Sequence, residues 1–169
     1  MNYFDFYNLP LTFSIDMVLL RQKFLVLSKK YHPDFFVNER EEMKLEVLSQ
    51  STLNNDAFKT LSNDVLRIGY VLELLGVKAE NEKEILPHDF LMEMMDLNEE
   101  IMELKNENRD DIKSRVLLLE SSLQTDLKQS CTSFDLYGDI AELQKVKTIY
   151  LKQKYLLRIK ESMLKFASL

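Results

Sequence analysis

Helix-breaking residues are scarce in this chain, and that scarcity limits the folds open to it. Glycine and proline occur only three times each in 169 residues, whereas leucine, methionine, glutamate and lysine are abundant. The scarce residues make tight turns and end helices, and the abundant ones favour helix. With 46% hydrophobic and 30% charged residues, the chain has the composition of an ordinary globular protein. The sequence therefore predicts an all-α protein with one sizeable core or two small ones.

Two long helical patterns flank the stretch SKKYHPDFF, which spans residues 28–36. Asp16 can cap the first helix, because its carboxylate can accept a hydrogen bond from an amide of the first turn. That helix carries an apolar stripe at spacings of three and four residues, made of Met17, Leu20, Phe24, Leu27 and Tyr31. Pro33 ends it, since proline pushes the preceding residue out of the helical region. The second pattern runs to about Leu61, so the pair predicts a helical hairpin with His-Pro-Asp at its tip.

The rest of the chain predicts a linker and a second set of helices. Residues 65–75 form another helical run, which Gly76 can end. A polar, acidic and aperiodic stretch follows it, and three further helical patterns come after that, separated by breaks at NENRDD and CTSFDLYG. The predicted organisation is an N-terminal domain at 1–76, a linker at 77–87 and an antiparallel three-helix bundle at 88–169.

Several classes of function lack the residues they would need. Cys131 is the only cysteine, which excludes an intrachain disulfide and a cysteine-based metal cluster, and we expect it to be an unremarkable or weakly exposed thiol. His88 has no cysteine or histidine at ligand spacing, which favours a capping or exposed role. Three glycines and two histidines do not assemble a phosphate loop or a Ser-His-Asp set. We therefore predict no metal, no cofactor and no enzymatic activity.

The charges are segregated along the chain. The net charge of -6 argues against general nucleic-acid binding. Residues 17–31 carry four basic side chains and no acid, whereas residues 80–103 carry nine acids against Lys83 alone. The N-terminus lacks the pattern of a signal peptide, and charge interrupts every long apolar run, so we expect a cytoplasmic protein without a membrane segment.

His-Pro-Asp has a simple structural interpretation as a helix stop, in which Asp34 caps the next element and His32 is incidental. Its setting is more specific, because it follows a basic amphipathic helix and precedes NNDAFKTLSN on the returning helix. This arrangement resembles a J domain, the module by which co-chaperones stimulate the ATPase of DnaK-type chaperones. Over nearly its whole length the chain resembles the HscB family, the J-type co-chaperones of bacterial iron-sulfur cluster assembly, through FDFYNLP, SIDMVLLRQKFLVLSKKYHPDFF, NNDAFKTLSNDVLRIGYVLELLGV and DFLMEMMDLNEEI. The resemblance implies an N-terminal J domain and a C-terminal three-helix bundle in an elongated or L-shaped molecule.

The resemblance also implies a chaperone-binding surface. His-Pro-Asp matches the signature that the family needs for ATPase stimulation, and the preceding basic helix matches the one that docks on an acidic chaperone surface. The implied residues are His32, Pro33, Asp34, Arg21, Lys23, Lys29, Lys30 and Tyr31. Phe35 stands where many J domains have a lysine, so we expect docking to survive with altered affinity or partner preference.

The helix that starts near Asp89 has apolar residues on two sides. Its packing stripe is Phe90, Met94, Leu97, Ile101 and Leu104, and further apolar residues, Leu91, Met92, Met95 and Met102, project to the other side. From the residues alone, that second side either meets another helix or the N-terminal domain, or binds a partner. The resemblance implies that it holds the IscU-type scaffold on which clusters are built, through Leu91, Met92, Met95, Asp96, Glu99, Glu103 and, on the last helix, Tyr150.

The function implied is that of a co-chaperone that holds the scaffold, presents it to the chaperone HscA and promotes cluster transfer by stimulating ATP hydrolysis. Two alternatives stay open. One is a J-domain co-chaperone for a different client protein. The other is a non-catalytic helical adaptor, in which His-Pro-Asp is only a helix stop.

Overall fold

The computed structural model describes residues 1–77, 86–103 and 108–167, and every regular element in those ranges is a helix. The chain divides into two compact units, Met1–Gly76 and Val77–Leu169. The helices are α1 (Tyr3–Tyr7), α2 (Met17–Lys30), α3 (Glu41–Ser62), α4 (Asp64–Leu74), α5 (His88–Met102), α6 (Arg109–Tyr137) and α7 (Ile140–Ala167), with a one-turn 3-10 helix at Pro33–Phe36. Most of the predicted linker, residues 78–85, lies outside the described residues, as does Leu104.

In the N-terminal unit, α2 and α3 pack along each other as the predicted hairpin. Asp16 caps α2, because its carboxylate accepts hydrogen bonds from the amides of Val18 and Leu19 at 2.9 and 3.0 Å. The rings of Phe24 and Phe58 stack across the hairpin with their centroids 4.2 Å apart. Met17 is 41% exposed, contrary to its predicted place in the packed stripe. At about 100° per residue it falls at the margin of that stripe, where α3 covers it poorly.

A buried amide joins three helices of this unit. The Asn54 side chain on α3 donates hydrogen bonds to the carbonyl of Phe24 at 3.2 Å and to the hydroxyl of Ser28 at 3.0 Å, both on α2. Its side-chain and main-chain oxygens accept hydrogen bonds from the Tyr7 hydroxyl of α1 at 2.8 and 2.9 Å. Asn54 is 1% exposed. Sliding α2 along α3 would leave buried polar atoms unpaired, so this group fixes the register of the hairpin.

Arg67 holds the junction between α3 and α4. Its guanidinium donates to the carbonyls of Phe13 and Leu61 at 2.9 and 2.7 Å, and to the Asp64 carboxylate at 2.6 Å. The Leu61 carbonyl lies in the last turn of α3 and has no partner within its own helix. Arg67 therefore caps α3, and its buried charge is balanced by three acceptors.

The second unit is a three-helix bundle. α6 and α7 are joined at Gly138 and pack along each other, and α5 contacts both of them. Its core cluster is Leu86, Phe90, Met94, Leu97, Ile101, Ile112, Val116, Leu123, Leu151, Leu156 and Ile159. A half-buried ion pair also connects α7 to α6, with the Lys160 ammonium 2.7 and 2.8 Å from the two carboxylate oxygens of Glu120.

The predicted break around CTSFDLYG is wrong, and Cys131, predicted to be an unremarkable or weakly exposed thiol, is buried. α6 runs unbroken to Tyr137 and ends at Gly138, whose φ of 66° suits glycine. The Thr132 hydroxyl donates to the Lys128 carbonyl at 2.9 Å, so this polar side chain bonds to its own helix without ending it. Cys131 lies on the inward side of α6 and is 5% exposed, because a polar stretch in a helix still turns one side toward the core.

We predict that Asn54→Ala destabilises the protein. The substitution leaves the buried Tyr7 hydroxyl without its side-chain acceptor and removes both donors to α2, which should lower the free energy of unfolding by about 1–3 kcal/mol. Asn55→Ala is the matched control, since Asn55 is the exposed neighbour on the same helix and its loss should change stability by about 0.5 kcal/mol or less. Chemical denaturation measures both values. Equal effects would contradict the structural role of Asn54.

A second prediction concerns pH. Burial raises the pKa of the Tyr7 hydroxyl, whereas a tyrosine in the unfolded chain ionises near pH 10, at about its ordinary pKa. The folded state keeps the proton, so the stabilisation by this hydroxyl is present below about pH 10 and is lost as the pH rises further. The difference in unfolding free energy between the wild type and Tyr7→Phe should therefore narrow above about pH 10.

Tyr137→Phe provides the control for this pH series, because Tyr137 is 79% exposed. Its stability difference from the wild type should stay constant over the same pH range. A Tyr7→Phe difference that is equally constant would disprove the role of the buried hydroxyl.

Candidate functional site

The His-Pro-Asp turn is built by short-range hydrogen bonds at the tip of the hairpin. Pro33 holds His32 in an extended conformation, with φ -76° and ψ 125°, and starts the 3-10 helix. The Nδ1 atom of His32 accepts a hydrogen bond from the Asp34 amide at 3.3 Å, and the His32 carbonyl accepts one from the Phe35 amide at 3.1 Å. The turn is therefore set by its own residues.

This turn presents two polar groups side by side. The Nδ1 atom of His32 lies 3.7 Å from an Asp34 carboxylate oxygen, and the two side chains are 52% and 83% exposed. Because Nδ1 accepts a hydrogen bond, the neutral imidazole carries its proton on Nε2. The turn thus offers a partner one hydrogen-bond donor and one carboxylate acceptor that lie next to each other. Phe35 extends it, with its ring centroid 5.7 Å from that of the imidazole.

The predicted basic residues lie along α2, behind the turn. Arg21, Lys29 and Lys30 are exposed and Lys23 is half-buried. The Lys30 ammonium lies 4.9 Å from the centroid of the half-buried Tyr31 ring. Lys29 and Lys30 also stabilise the C-terminal end of the α2 dipole, which is a structural reason for their place.

The exposed side of α2 also carries apolar residues that sequence reasoning missed. Val18, Leu25 and Val26 are 69%, 53% and 65% exposed. At about 100° per residue they lie on the outward side of α2 together with Lys29, and Arg21 and Lys30 lie on either side of them. The helical periodicity of the sequence could have revealed this, since these positions lie opposite the packed stripe. The surface of α2 is therefore an apolar strip with basic residues within it and along its margins.

In the other unit, α5 divides into the two sides that the sequence predicts. Phe90, Met94, Leu97 and Ile101 are buried in the bundle core. The opposite side, which we call the methionine face, consists of the exposed residues Met92, Met95, Asp96, Glu99, Met102 and Glu103. Three flexible thioether side chains beside three carboxylates form a surface that can adapt to an apolar partner with basic groups around it.

Two of the predicted contact residues are less exposed than the methionine face. Leu91 and Tyr150 are half-buried and pack against the same core cluster of the bundle. The Lys154 ammonium lies 5.8 Å from the centroid of the Tyr150 ring on α7. Leu91 lies four residues before Met95, so the exposed part of its side chain borders the methionine face on α5.

His88 is exposed at the first position of α5. Within residues 1–77, 86–103 and 108–167, no three His, Cys, Asp or Glu side chains are grouped so that they could hold a metal ion. In the same ranges no helix combines the length and the apolar character needed to cross a membrane.

Comparison with known proteins agrees with this architecture. The family described as HSCB C-terminal oligomerisation domain matches residues 86–163. The co-chaperone protein HscB homolog of Psychromonas ingrahamii is 35% identical over 136 residues, which cover 76% of this chain and 80% of that protein. This similarity includes parts of both units, because an alignment of that length exceeds either unit alone.

Two solved structures are similar over nearly the whole chain. The crystal structure of the human co-chaperone protein HscB has a TM-score of 0.81 and 27% identity, covering 100% of this chain and 84% of the human one. The chaperone HscB from Vibrio cholerae has a TM-score of 0.69 and 26% identity, covering 99% and 98%. These similarities confirm the predicted all-α fold, with a J domain followed by a helical bundle. The chain belongs to the HscB family of co-chaperone proteins.

Proposed function

We propose that this co-chaperone binds an IscU-type iron-sulfur scaffold on the methionine face, delivers it to the DnaK-type chaperone HscA and stimulates the HscA ATPase through His-Pro-Asp. The J domain would be residues 1–76, the linker 77–87 and the scaffold-binding domain 88–169. The observation that carries the proposal is the exposed, internally hydrogen-bonded His32–Asp34 turn at the tip of a hairpin with basic margins. The chain itself needs no cofactor and no catalytic group, because ATP hydrolysis takes place on the chaperone, and we propose a cytoplasmic setting.

The geometry of the turn supports a role in activation. Because local hydrogen bonds already hold His32 and Asp34, a partner that binds them does not have to order a flexible loop. The imidazole can donate a hydrogen bond to one polar group of the chaperone, and the carboxylate can accept a hydrogen bond from another.

The surface of α2 supports a role in docking. Its basic residues attract an acidic partner and raise the rate of encounter, an effect that salt weakens. The apolar strip of Val18, Leu25 and Val26 adds surface that is removed from water once the partner is bound. Charge therefore guides the approach, and apolar contact slows dissociation.

The methionine face supports a role in client binding. Met92, Met95 and Met102 are 47%, 56% and 63% exposed, although the chain has buried positions for other methionines such as Met94. Exposed apolar side chains beside acids are typical of a partner site. Carrying this face and the J domain on one chain raises the local concentration of the client at the chaperone.

We predict that His32→Gln removes most of the ATPase stimulation. The side chain is half-exposed at a turn, so the fold should remain while the imidazole contact is lost, and stimulation should fall by about tenfold or more. Steady-state ATP hydrolysis by HscA measures this. His88→Gln is the matched control, because it changes the other histidine, exposed on α5. Full stimulation by His32→Gln would favour the helical adaptor over the co-chaperone.

We also predict that Met92→Ala combined with Met95→Ala weakens scaffold binding. Both side chains are exposed, so the double variant should fold, and its affinity for the IscU-type scaffold should fall at least tenfold, or by about 1.4 kcal/mol. Calorimetric titration measures the affinity. The matched control replaces Leu117 and Leu118, two exposed leucines of α6, by alanine.

The outcomes of this titration separate the remaining alternatives. Unchanged affinity in the double variant would place the client site elsewhere on the molecule. If the wild-type chain does not bind the scaffold but still stimulates a DnaK-type ATPase, the protein is a J-domain co-chaperone with a different client.

A further inference from the structure

An apolar groove lies beside the His-Pro-Asp turn, between the 3-10 helix and the start of α3. Six residues line it, and five of them are apolar: Pro33, Phe36, Val37, Lys44, Val47 and Leu48. The groove measures ≈ 350 Å³. A volume of this size falls within the range of pockets that accept small ligands or side chains.

Lys44 does not make the groove basic. Its ammonium pairs with the Glu41 carboxylate at 2.9 Å, one turn earlier on α3, so its charge is balanced. Its aliphatic stem is the part that can cover apolar surface. The groove is therefore suited to an uncharged, apolar group.

The apolar side chains that form the walls of the groove are largely exposed to solvent. Packing within the N-terminal unit therefore does not account for them. Val47 forms the floor and is 4% exposed, but Leu48 and Val37 are 56% and 64% exposed. Phe35, next to the groove in sequence, is 72% exposed. Apolar side chains grouped at the surface in this way mark a site of interaction.

We propose that this groove binds an apolar side chain of the same DnaK-type chaperone that His-Pro-Asp engages, an inference that rests on the proposed function. Pro33 belongs both to the His-Pro-Asp turn and to the groove wall. A protein that contacts His32 and Asp34 therefore reaches the groove without a second docking event. The client surface, in contrast, lies on α5 in the other unit.

The groove and the turn would act on different steps. Burial of an apolar side chain lowers the free energy of the complex whether or not ATP is being hydrolysed, so it contributes to affinity. The His-Pro-Asp turn contributes instead to the maximal rate of ATP hydrolysis. Disrupting the groove should therefore raise the co-chaperone concentration that gives half-maximal stimulation, and it should leave the maximum nearly unchanged.

Leu48→Glu and Leu45→Glu form a matched pair for this test. Both leucines are exposed on α3, three positions apart, but only Leu48 is among the lining residues. HscA ATPase activity is measured against the concentration of each variant. Leu48→Glu should raise the half-maximal concentration by about fivefold or more, and Leu45→Glu by less than about twofold. Val37→Asp, on the opposite wall, should behave like Leu48→Glu.

The outcomes distinguish failure of the groove inference from failure of the proposed function. If wild-type protein stimulates HscA and His32→Gln does not, while Leu48→Glu and Leu45→Glu are equivalent, the groove is not a chaperone site and the proposed function stands. If Leu48→Glu instead weakens scaffold binding or self-association with chaperone affinity unchanged, the groove has a different occupant and the inference is wrong. If the wild type fails to stimulate HscA, the proposed function itself fails, and the groove inference fails with it.

Discussion

The hydrogen-bonded amide of Asn54 is the interaction on which the geometry of the N-terminal unit depends. It ties α1 and α2 to α3 one helical turn before the His-Pro-Asp turn begins, because Ser28 lies four residues before His32. Apolar packing such as that of Phe24 on Phe58 supplies attraction but tolerates small shifts along the helix axis. The amide does not, since its partners are single atoms. The turn is thus placed by a polar contact inside an otherwise apolar interface.

Both candidate surfaces follow from the same property of an amphipathic helix. A helix of a small domain needs only about a third of its circumference to build the core. On α2 and on α5, apolar residues continue onto the outward side, as Val26 and Met95 show. What distinguishes the two surfaces is charge, basic on α2 and acidic on α5. Surfaces of opposite charge let one chain bind two different partners with little competition between them.

Much of this architecture could be predicted from local signals in the sequence. The stop at Pro33, the cap at Asp16 and the stripe of α5 depend on residues within a turn or two of each other, and the structure has each of them. The contacts of Asn54 and Arg67 could not be predicted, because their partners are distant in the sequence. Local composition misled in α6: the polar residues around Cys131 suggested a loop, yet they continue the helix, and the Thr132 hydroxyl bonds within it. The partial burial of Leu91 and Tyr150 likewise depends on how three helices pack.

The burial of Cys131 has a consequence for a protein that works beside iron-sulfur chemistry. A thiol must be accessible and deprotonated to ligate iron or to react with an oxidant. The sequence contains one cysteine, and the bundle core covers it. Burial therefore keeps this thiol from ligating iron and from exchanging sulfur with a protein bound at the surface.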